Sequence, residues 1–295
     1  MKRDNQPWGP TPEPQLTWNS AGEPYSSSYD DVYYSREDGL AESHHVFLKG
    51  NDLPARWADF PGKSFCIAET GFGTGLNFLL TWQTWLQQAA PGTRLHYVSI
   101  EKFPLSKDQL ARSLAPWREL QDLSEELLGA WPGRLPGQHR LLFEQGQVIL
   151  DLWWEDVDPA LADLASHGPV VDAWYLDGFA PAKNAAMWQA SLYTHMAALS
   201  RPGATAATFT ASGAVRRGLA DAGFEVRKVP GFGRKRESIT ARLAATGGTV
   251  CYPETPWHQA RDTASPPSSV VVIGAGLAGC TEASALAQRG VRVKY

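Results

Sequence analysis

The sequence predicts an α/β protein built on a mostly parallel, seven-stranded sheet with helices on both faces and an antiparallel hairpin at one edge. Three observations predict it. Short segments rich in β-branched and aromatic residues, "SFCIAE", "LHYVSIE", "QVILDLWW", "DAWYLDGF" and "ATAATFT", recur from about residue 64 onward and read as strands. Between them lie stretches with helical spacing: Leu76, Leu79 and Leu80; then Leu123, Leu127 and Leu128; then Met187, Trp188, Leu192 and Met196. Alternation of this kind builds a parallel sheet covered on both sides. The rhythm then breaks at "VRRGLADAGFEVRKVPGFGRKRESITARL", a helix ending at Gly223 followed by two strands joined through the glycines of "PGFGRKRE".

Composition excludes several classes. A chain of 295 residues can bury one sizeable core and part of a second domain. Hydrophobic residues at 43% and charged residues at 20% are those of a globular protein, not a disordered one. The start, "MKRDNQP", lacks the apolar core of a signal peptide. No run approaches the roughly 18 apolar residues of a membrane helix, so a cytoplasmic protein without membrane attachment is expected. Cys66, Cys251 and Cys280 show no CxxC spacing and the histidines no HxxxH or HExxH spacing; neither a disulfide frame nor a metal site is expected. His44 and His45 are read as pointing to opposite sides of a strand. The net charge of −4 argues against nonspecific coating of nucleic acid. Arg216-Arg217, Arg227-Lys228 and Arg234-Lys235-Arg236 nevertheless lie close enough in sequence to give an acidic protein one basic face.

Four regions follow. Residues 1–24 carry Pro7, Pro10, Pro12, Pro14 and Pro24 and read as an extended arm. Residues 25–245 hold the alternating pattern, and 246–268 form a Gly/Pro/Ser-rich linker. Residues 269–295 begin a second strand, glycine turn and helix, with Gly274-x-Gly276-x-x-Gly279 behind "SVVVI". That is the start of a Rossmann domain of the FAD-binding kind, and it stops far short of a whole one. The expectation is a fragment of a two-domain protein whose tail exposes apolar surface and binds no FAD.

The two glycine loops suit different ligands. The terminal one aims a helix N-terminus at a pyrophosphate. The first, "IAETGFGTGLNF", sets Glu69 ahead of Gly71, Gly73 and Gly75; a carboxylate there would repel a pyrophosphate, so a ligand without phosphates is indicated. S-adenosylmethionine meets that description, with a sulfonium, an ammonium, a ribose and an adenine. Glu69 is expected to hold the ammonium, directly or through water. Glu101, ending the next strand, is expected to accept from the ribose hydroxyls, and Asp156 from the adenine amino group with Trp153 or Trp154 stacked on the ring. Asp177 in "YLDGFAPAKN" lies at the carboxyl edge of the sheet, where a carboxylate can orient an amine and take its proton during methyl transfer. Phe179 and Pro181 are candidate walls of an acceptor pocket, and Lys183 a candidate phosphate contact.

Longer motifs carry a resemblance. "FCIAETGFGTGLNFLLTW", "IEKFPL", "VDAWYLDGFAPAKNAAMW", "ATFTASGAVRRGL", "GFGRKRE" and the upstream "YDDVYYS" resemble the methyltransferase half of the bifunctional tRNA 5-methylaminomethyl-2-thiouridine biosynthesis family, from about Trp18 to Arg242 and again at "VVVIGAGLAGC". The resemblance implies a Rossmann-like class I S-adenosylmethionine-dependent methyltransferase fold and a wobble-uridine enzyme. Such an enzyme converts 5-aminomethyl-2-thiouridine to 5-methylaminomethyl-2-thiouridine in the tRNA anticodon. It places Glu69, Gly71, Gly73, Gly75 and Glu101 on the cofactor site and makes Asp177 the essential catalytic aspartate; Asn77 and Lys102, inside the same matched motifs, are expected to bind the cofactor as well. "YDDVYYS" would close over the cofactor, with Tyr33 touching it. Gly274, Gly276 and Gly279 match the fingerprint of the following FAD-dependent oxidoreductase domain, so this chain is expected to methylate and not to oxidise. The alternatives are an aminopropyltransferase or other small-amine transferase on the same fold, and a noncatalytic RNA-binding scaffold. The oligomeric state is not indicated.

Overall fold

The structure is a computed structural model and describes residues 9–20, 22–34, 39–58, 60–165, 168–233, 235–244 and 267–294. Arg234, Cys251, the first eight residues of the arm and the linker up to residue 266 lie outside the described residues.

The chain opens with three short strands, β1 (Leu16–Trp18), β2 (Pro24–Ser26) and β3 (Asp31–Val32), which form a small antiparallel sheet. Leu16 pairs with Ser26, so this sheet crosses the boundary drawn at residue 24. Next come α1 (Gly39–Ser43), a π-helical turn over His44–Lys49 and α2 (Leu53–Ala58). The two histidines therefore lie on a helical turn and not on a strand. That segment buries Val46, Phe47 and Leu48 in succession, which a strand with one face inward cannot do.

The main sheet then alternates with helices: β4 (Ser64–Thr70), α3 (Leu76–Gln88), β5 (Arg94–Glu101), α4 (Lys107–Leu114), α5 (Gln121–Ala130), β6 (Gly137–Phe143), β7 (Val148–Trp154), α6 (Val157–Ala165), β8 (Val171–Leu176), α7 (Ala190–Leu199), β9 (Ser200–Thr208), α8 (Gly213–Asp221), β10 (Phe224–Pro230) and β11 (Glu237–Leu243). Its order is β10-β11-β9-β8-β4-β5-β7-β6. The five central strands run parallel, and β6 and the β10–β11 hairpin are antiparallel edges. The sheet thus has eight strands, not seven. The additional one is β6, "GQHRLLF", whose polar first half and half-exposed edge position hide the strand signal. Met187 and Trp188 precede α7 in a turn instead of opening the helix.

Alternation along the strands sorts the core into two layers. Phe65 and Ile67 pack with Phe78, Trp82, Tyr97 and Tyr175 on one face, under α3. Cys66 and Ala68 face the other way, toward Leu161, Trp174, Met196 and Leu219. The terminal segment forms its own small unit, β12 (Ser269–Val271), α9 (Leu277–Gln288) and β13 (Arg292–Lys294), with β12 parallel to β13. Arg94 donates to the carbonyl of Arg289 at 3.1 Å, while Val271, Ile273 and Leu277 stay exposed.

The β6 edge is fastened by charge. Arg140 grips the buried carboxylate of Asp151 with two hydrogen bonds, of 2.7 and 2.6 Å, and His96 lies 2.7 Å from the same group. Burial pushes the Asp151 carboxyl up, but the bonds from Arg140 and His96 outweigh it and hold it at about 2, below its ordinary 3.8. The stabilisation is therefore complete above pH ~4 and is lost as pH falls through about 2. Arg140→Ala leaves a buried carboxylate short of its main partner and is expected to cost about 2 kcal/mol near neutral pH, reduced from the fully buried case because the guanidinium is partly exposed. Urea unfolding at pH 7 measures this, and an unchanged midpoint would contradict it.

Candidate active site

Strands β4, β5, β7 and β8 end at one edge of the sheet, where doubly wound folds place ligands. The loops beyond them enclose a cavity of about 630 Å³. Backbone proximity draws two of these loops together. Gly71 has φ +82°, and a Cβ there would stand 3.2 Å from the Gly178 Cα. Thr70 also donates its hydroxyl to the Asp177 carbonyl at 2.9 Å. A side chain at Gly71 would thus separate the glycine loop from the loop that carries Asp177. At Gly73, with φ +54°, a Cβ would meet the Tyr33 ring at 3.3 Å.

Glu101, at the end of β5, is held by backbone amides: Gly73 donates to one oxygen at 3.0 Å and Phe103 to the other at 2.8 Å. Burial raises its carboxyl, and these amides act against the rise. Its carboxylate faces the cavity beside Lys102, Phe103, Glu155, Asp156 and Val157. Among the described residues, the lysines lining the cavity are Lys102 and Lys235. Each is paired, Lys102 with Asp156 at 2.6 Å and Lys235 with Glu42 at 2.8 Å. A wall rich in carboxylates, with its cations already neutralised, fits a positively charged ligand and would repel a pyrophosphate.

Asp177 sits in the cavity wall just past β8. One carboxylate oxygen accepts from the Gly178 amide at 2.8 Å and the other from the Asn77 amide nitrogen at 2.7 Å. Burial pushes this carboxyl up to about 6, against the lowering effect of those two bonds. Glu69 is placed differently from the expectation. It is fully buried, accepts from Asn77 at 2.9 Å and from Ser99 at 2.7 Å, and does not line the cavity. Its side chain leaves β4 over the face covered by α3, so it lies beneath the site instead of opening onto it. Burial, with the charge of Asp177 as the second cause, raises its carboxyl as well.

Other expected residues also move. Trp154 is buried, with its indole N–H on the Gly133 carbonyl, and neither it nor Trp153 lines the cavity; Phe103 is the ring facing the Asp156 side. Lys183 is tied to the β2–β3 connection, donating to the Asp30 carbonyl and lying 3.7 Å from Asp31. Phe179 does line the cavity, whereas Pro181 does not. Gly75 supports the loop from behind as the left-handed residue ahead of α3. Gly274, Gly276 and Gly279 stand apart in the terminal unit.

Of the "YDDVYYS" segment, residues 29–34 are described, and Tyr29, Tyr33 and Tyr34 stand in the cavity wall. Tyr29 stacks on Phe179 at 4.5 Å, and Tyr33 meets the same ring edge-on at 5.2 Å. Sequence reasoning missed the other wall: Glu42, Ser43, Phe209 and Met187. Lys235 lies over Phe209 at 4.6 Å. Glu42 and Ser43 come from a five-residue helix, Met187 from the turn before α7 and Phe209 from just past β9, and only the basic cluster pointed toward Lys235. The remaining cations continue outside: Arg216 and Arg217 at the start of α8 and Lys228 on β10 line a shallow cleft. Among the described residues, no helix is long and apolar enough to cross a membrane, and no cluster of three or more His, Cys, Asp or Glu could hold a metal.

A doubly wound sheet with a bare glycine loop and carboxylates at successive strand ends defines an S-adenosylmethionine-dependent methyltransferase fold, and residues 118–244 match the model of an S-adenosyl-L-methionine-dependent methyltransferase family. The chain is 45% identical over 285 residues to the tRNA 5-methylaminomethyl-2-thiouridine biosynthesis bifunctional protein MnmC of Marinomonas sp. (strain MWYL1). It is 49% identical over 280 residues to the protein of that name from Stutzerimonas stutzeri, and 50% over 284 residues to that from Chromohalobacter salexigens. Each alignment covers 95% of this chain and 40–42% of the relative, so the chain spans less than half the length of these proteins. A crystal structure titled MNMC2 from Aquifex aeolicus shares the fold with a TM-score of 0.60 at 21% identity, over 82% of this chain and 73% of that one.

Proposed function

We propose that this chain methylates the 5-aminomethyl nitrogen of 5-aminomethyl-2-thiouridine at the wobble position of tRNA, with S-adenosylmethionine as donor. The observation that carries the reading is the Asp177 carboxylate, set in the wall of an anionic cavity and held there by the Gly178 and Asn77 amides. The relatives, which carry the name of tRNA 5-methylaminomethyl-2-thiouridine biosynthesis, support a precursor of that nucleoside as the substrate. On this reading Glu101 accepts from the ribose hydroxyls, Asp156 and Phe103 hold the adenine end, and Gly71 and Gly73 lend bare backbone. The donor supplies an electrophilic methyl group on a sulfonium.

The chain's own residues then handle the nitrogen. An aminomethyl group arrives as an ammonium without a lone pair. The ionised Asp177 pairs with it, takes one proton onto its carboxylate and leaves a neutral amine aimed at the methyl. The nitrogen's lone pair forms the new N–C bond while the C–S bond breaks and its electron pair stays on sulfur. Closure of Tyr29 and Tyr33 over Phe179 keeps water out. Arg216 and Arg217 on α8 and Lys228 near the end of β10 line one exposed basic cleft and suit RNA phosphates. We further propose residues 269–295 as the start of an FAD-binding domain; the parallel β12–β13 pair and the glycine turn before α9 support this.

Asp177→Asn is expected to lower turnover at least 100-fold while leaving donor binding intact. The assay incubates protein and donor with tRNA lacking the modification and identifies the nucleoside by mass spectrometry. In the native protein the rate falls as pH drops below about 6, because Asp177 must be ionised to accept a proton. Full activity in the variant, or a flat acid limb, would overturn the assignment. Replacing both Arg216 and Arg217 with Ala is expected to weaken tRNA binding and reduce the slope of log affinity against log salt by about 1 to 2. An unchanged slope would place the RNA elsewhere.

A further inference from the structure

Asn77 is matched by the glycine-loop motif and borders the cavity, yet its amide is fully committed to protein groups. Its Nδ2 donates one N–H to Glu69 Oε1 at 2.9 Å and the other to Asp177 Oδ2 at 2.7 Å, while its Oδ1 accepts from the Ser43 hydroxyl. The orientation is fixed by chemistry: turned over, the amide would press a carbonyl oxygen against two carboxylates. No N–H remains for a ligand. From this geometry we infer that Asn77 is a positioning residue that clamps the Asp177 carboxylate, and not a ligand of the methyl donor.

The clamp has two effects. It fixes the direction of Asp177 Oδ2, leaving the outer lone pairs of the carboxylate for the amine. It also favours the ionised form, since an N–H donor stabilises the anion it faces. Glu69 backs the clamp from below, and Ser43 on α1 holds it from the side, so three elements converge on one amide. The charged and titratable groups around Asp177 are Glu69 on β4, Tyr97 on β5, Glu42 on α1 and Lys235 in the β10–β11 turn. All of them are retained when Asn77 or Ser43 is changed.

The proposal deepens the reading of Asp177 as the group that receives the amine's proton, and its test is independent of the substrate. Protein labelled with ¹³C at the aspartate carboxyl carbons is titrated by NMR, and the Asp177 resonance is assigned by its loss in Asp177→Asn. In Asn77→Ala the midpoint is expected to rise by about one pH unit, with S-adenosylmethionine affinity held within about threefold. In turnover, kcat falls at least tenfold with KM for tRNA little changed, and the acid limb of the rate moves up in pH with the NMR midpoint. An unmoved midpoint in the folded variant, or a tenfold loss of donor affinity with the midpoint fixed, would overturn the inference. If Asn77→Ala does not fold, Ser43→Ala decides: a smaller rise supports the clamp and no rise refutes it. A native protein that titrates as expected yet methylates no tRNA would refute the proposed substrate alone.

Discussion

Carboxylates gathered at one edge of a parallel sheet repel one another, and much of this site's architecture is what keeps them there. Glu69 and Asp177 share one amide between them, Glu101 rests on two backbone N–H groups, and Asp156 and Glu42 each hold a lysine. Each pairing offsets part of the desolvation that burial imposes, without removing the net negative field of the cavity. That field is the property a sulfonium and an ammonium share an interest in. The glycine loop is the steric counterpart, letting the β4 and β8 loops meet at backbone distance so that Asp177 stands beside the ligand space.

The small N-terminal sheet adds side-chain contacts over the site and, among the described residues, has no ladder to the main sheet. Arg112 lies 3.8 Å over the Trp18 ring, Lys183 reaches Asp31, and the tyrosines close on Phe179. Contacts of this kind can open without breaking the β-sheet core. The hairpin at the opposite edge extends the same logic outward, since its turn carries Lys235 into the cavity wall while Arg216 and Arg217 face solvent nearby.

The central sheet was legible because β4, β5, β7 and β8 are buried on both faces and so read as continuous apolar runs closed by an acid or a glycine. Edge strand β6 was not, because half of it is polar and faces solvent. Glu101 and Asp177 line the cavity as their positions suggested, each closing a strand at the carboxyl edge of the sheet. Glu69 satisfied the same pattern and yet lies underneath, since one residue along a strand decides which way a side chain leaves it. Trp154 turns into the core for a similar reason, while Phe103, past the end of β5, lines the cavity. Glu42 and Ser43 come from α1, too short for periodicity to reveal, and Phe209 from just past β9; their place in the wall depends on tertiary packing.

The central claim is that this anionic edge holds a cationic methyl donor with Asp177 beside its sulfur. A crystal structure of the protein with S-adenosylmethionine tests it most directly. The account predicts the ribose hydroxyls on Glu101, the adenine between Phe103 and Asp156, and the methyl group directed at the space in front of the Asp177 carboxylate. A donor bound elsewhere, or one whose methyl points away from Asp177, would contradict it.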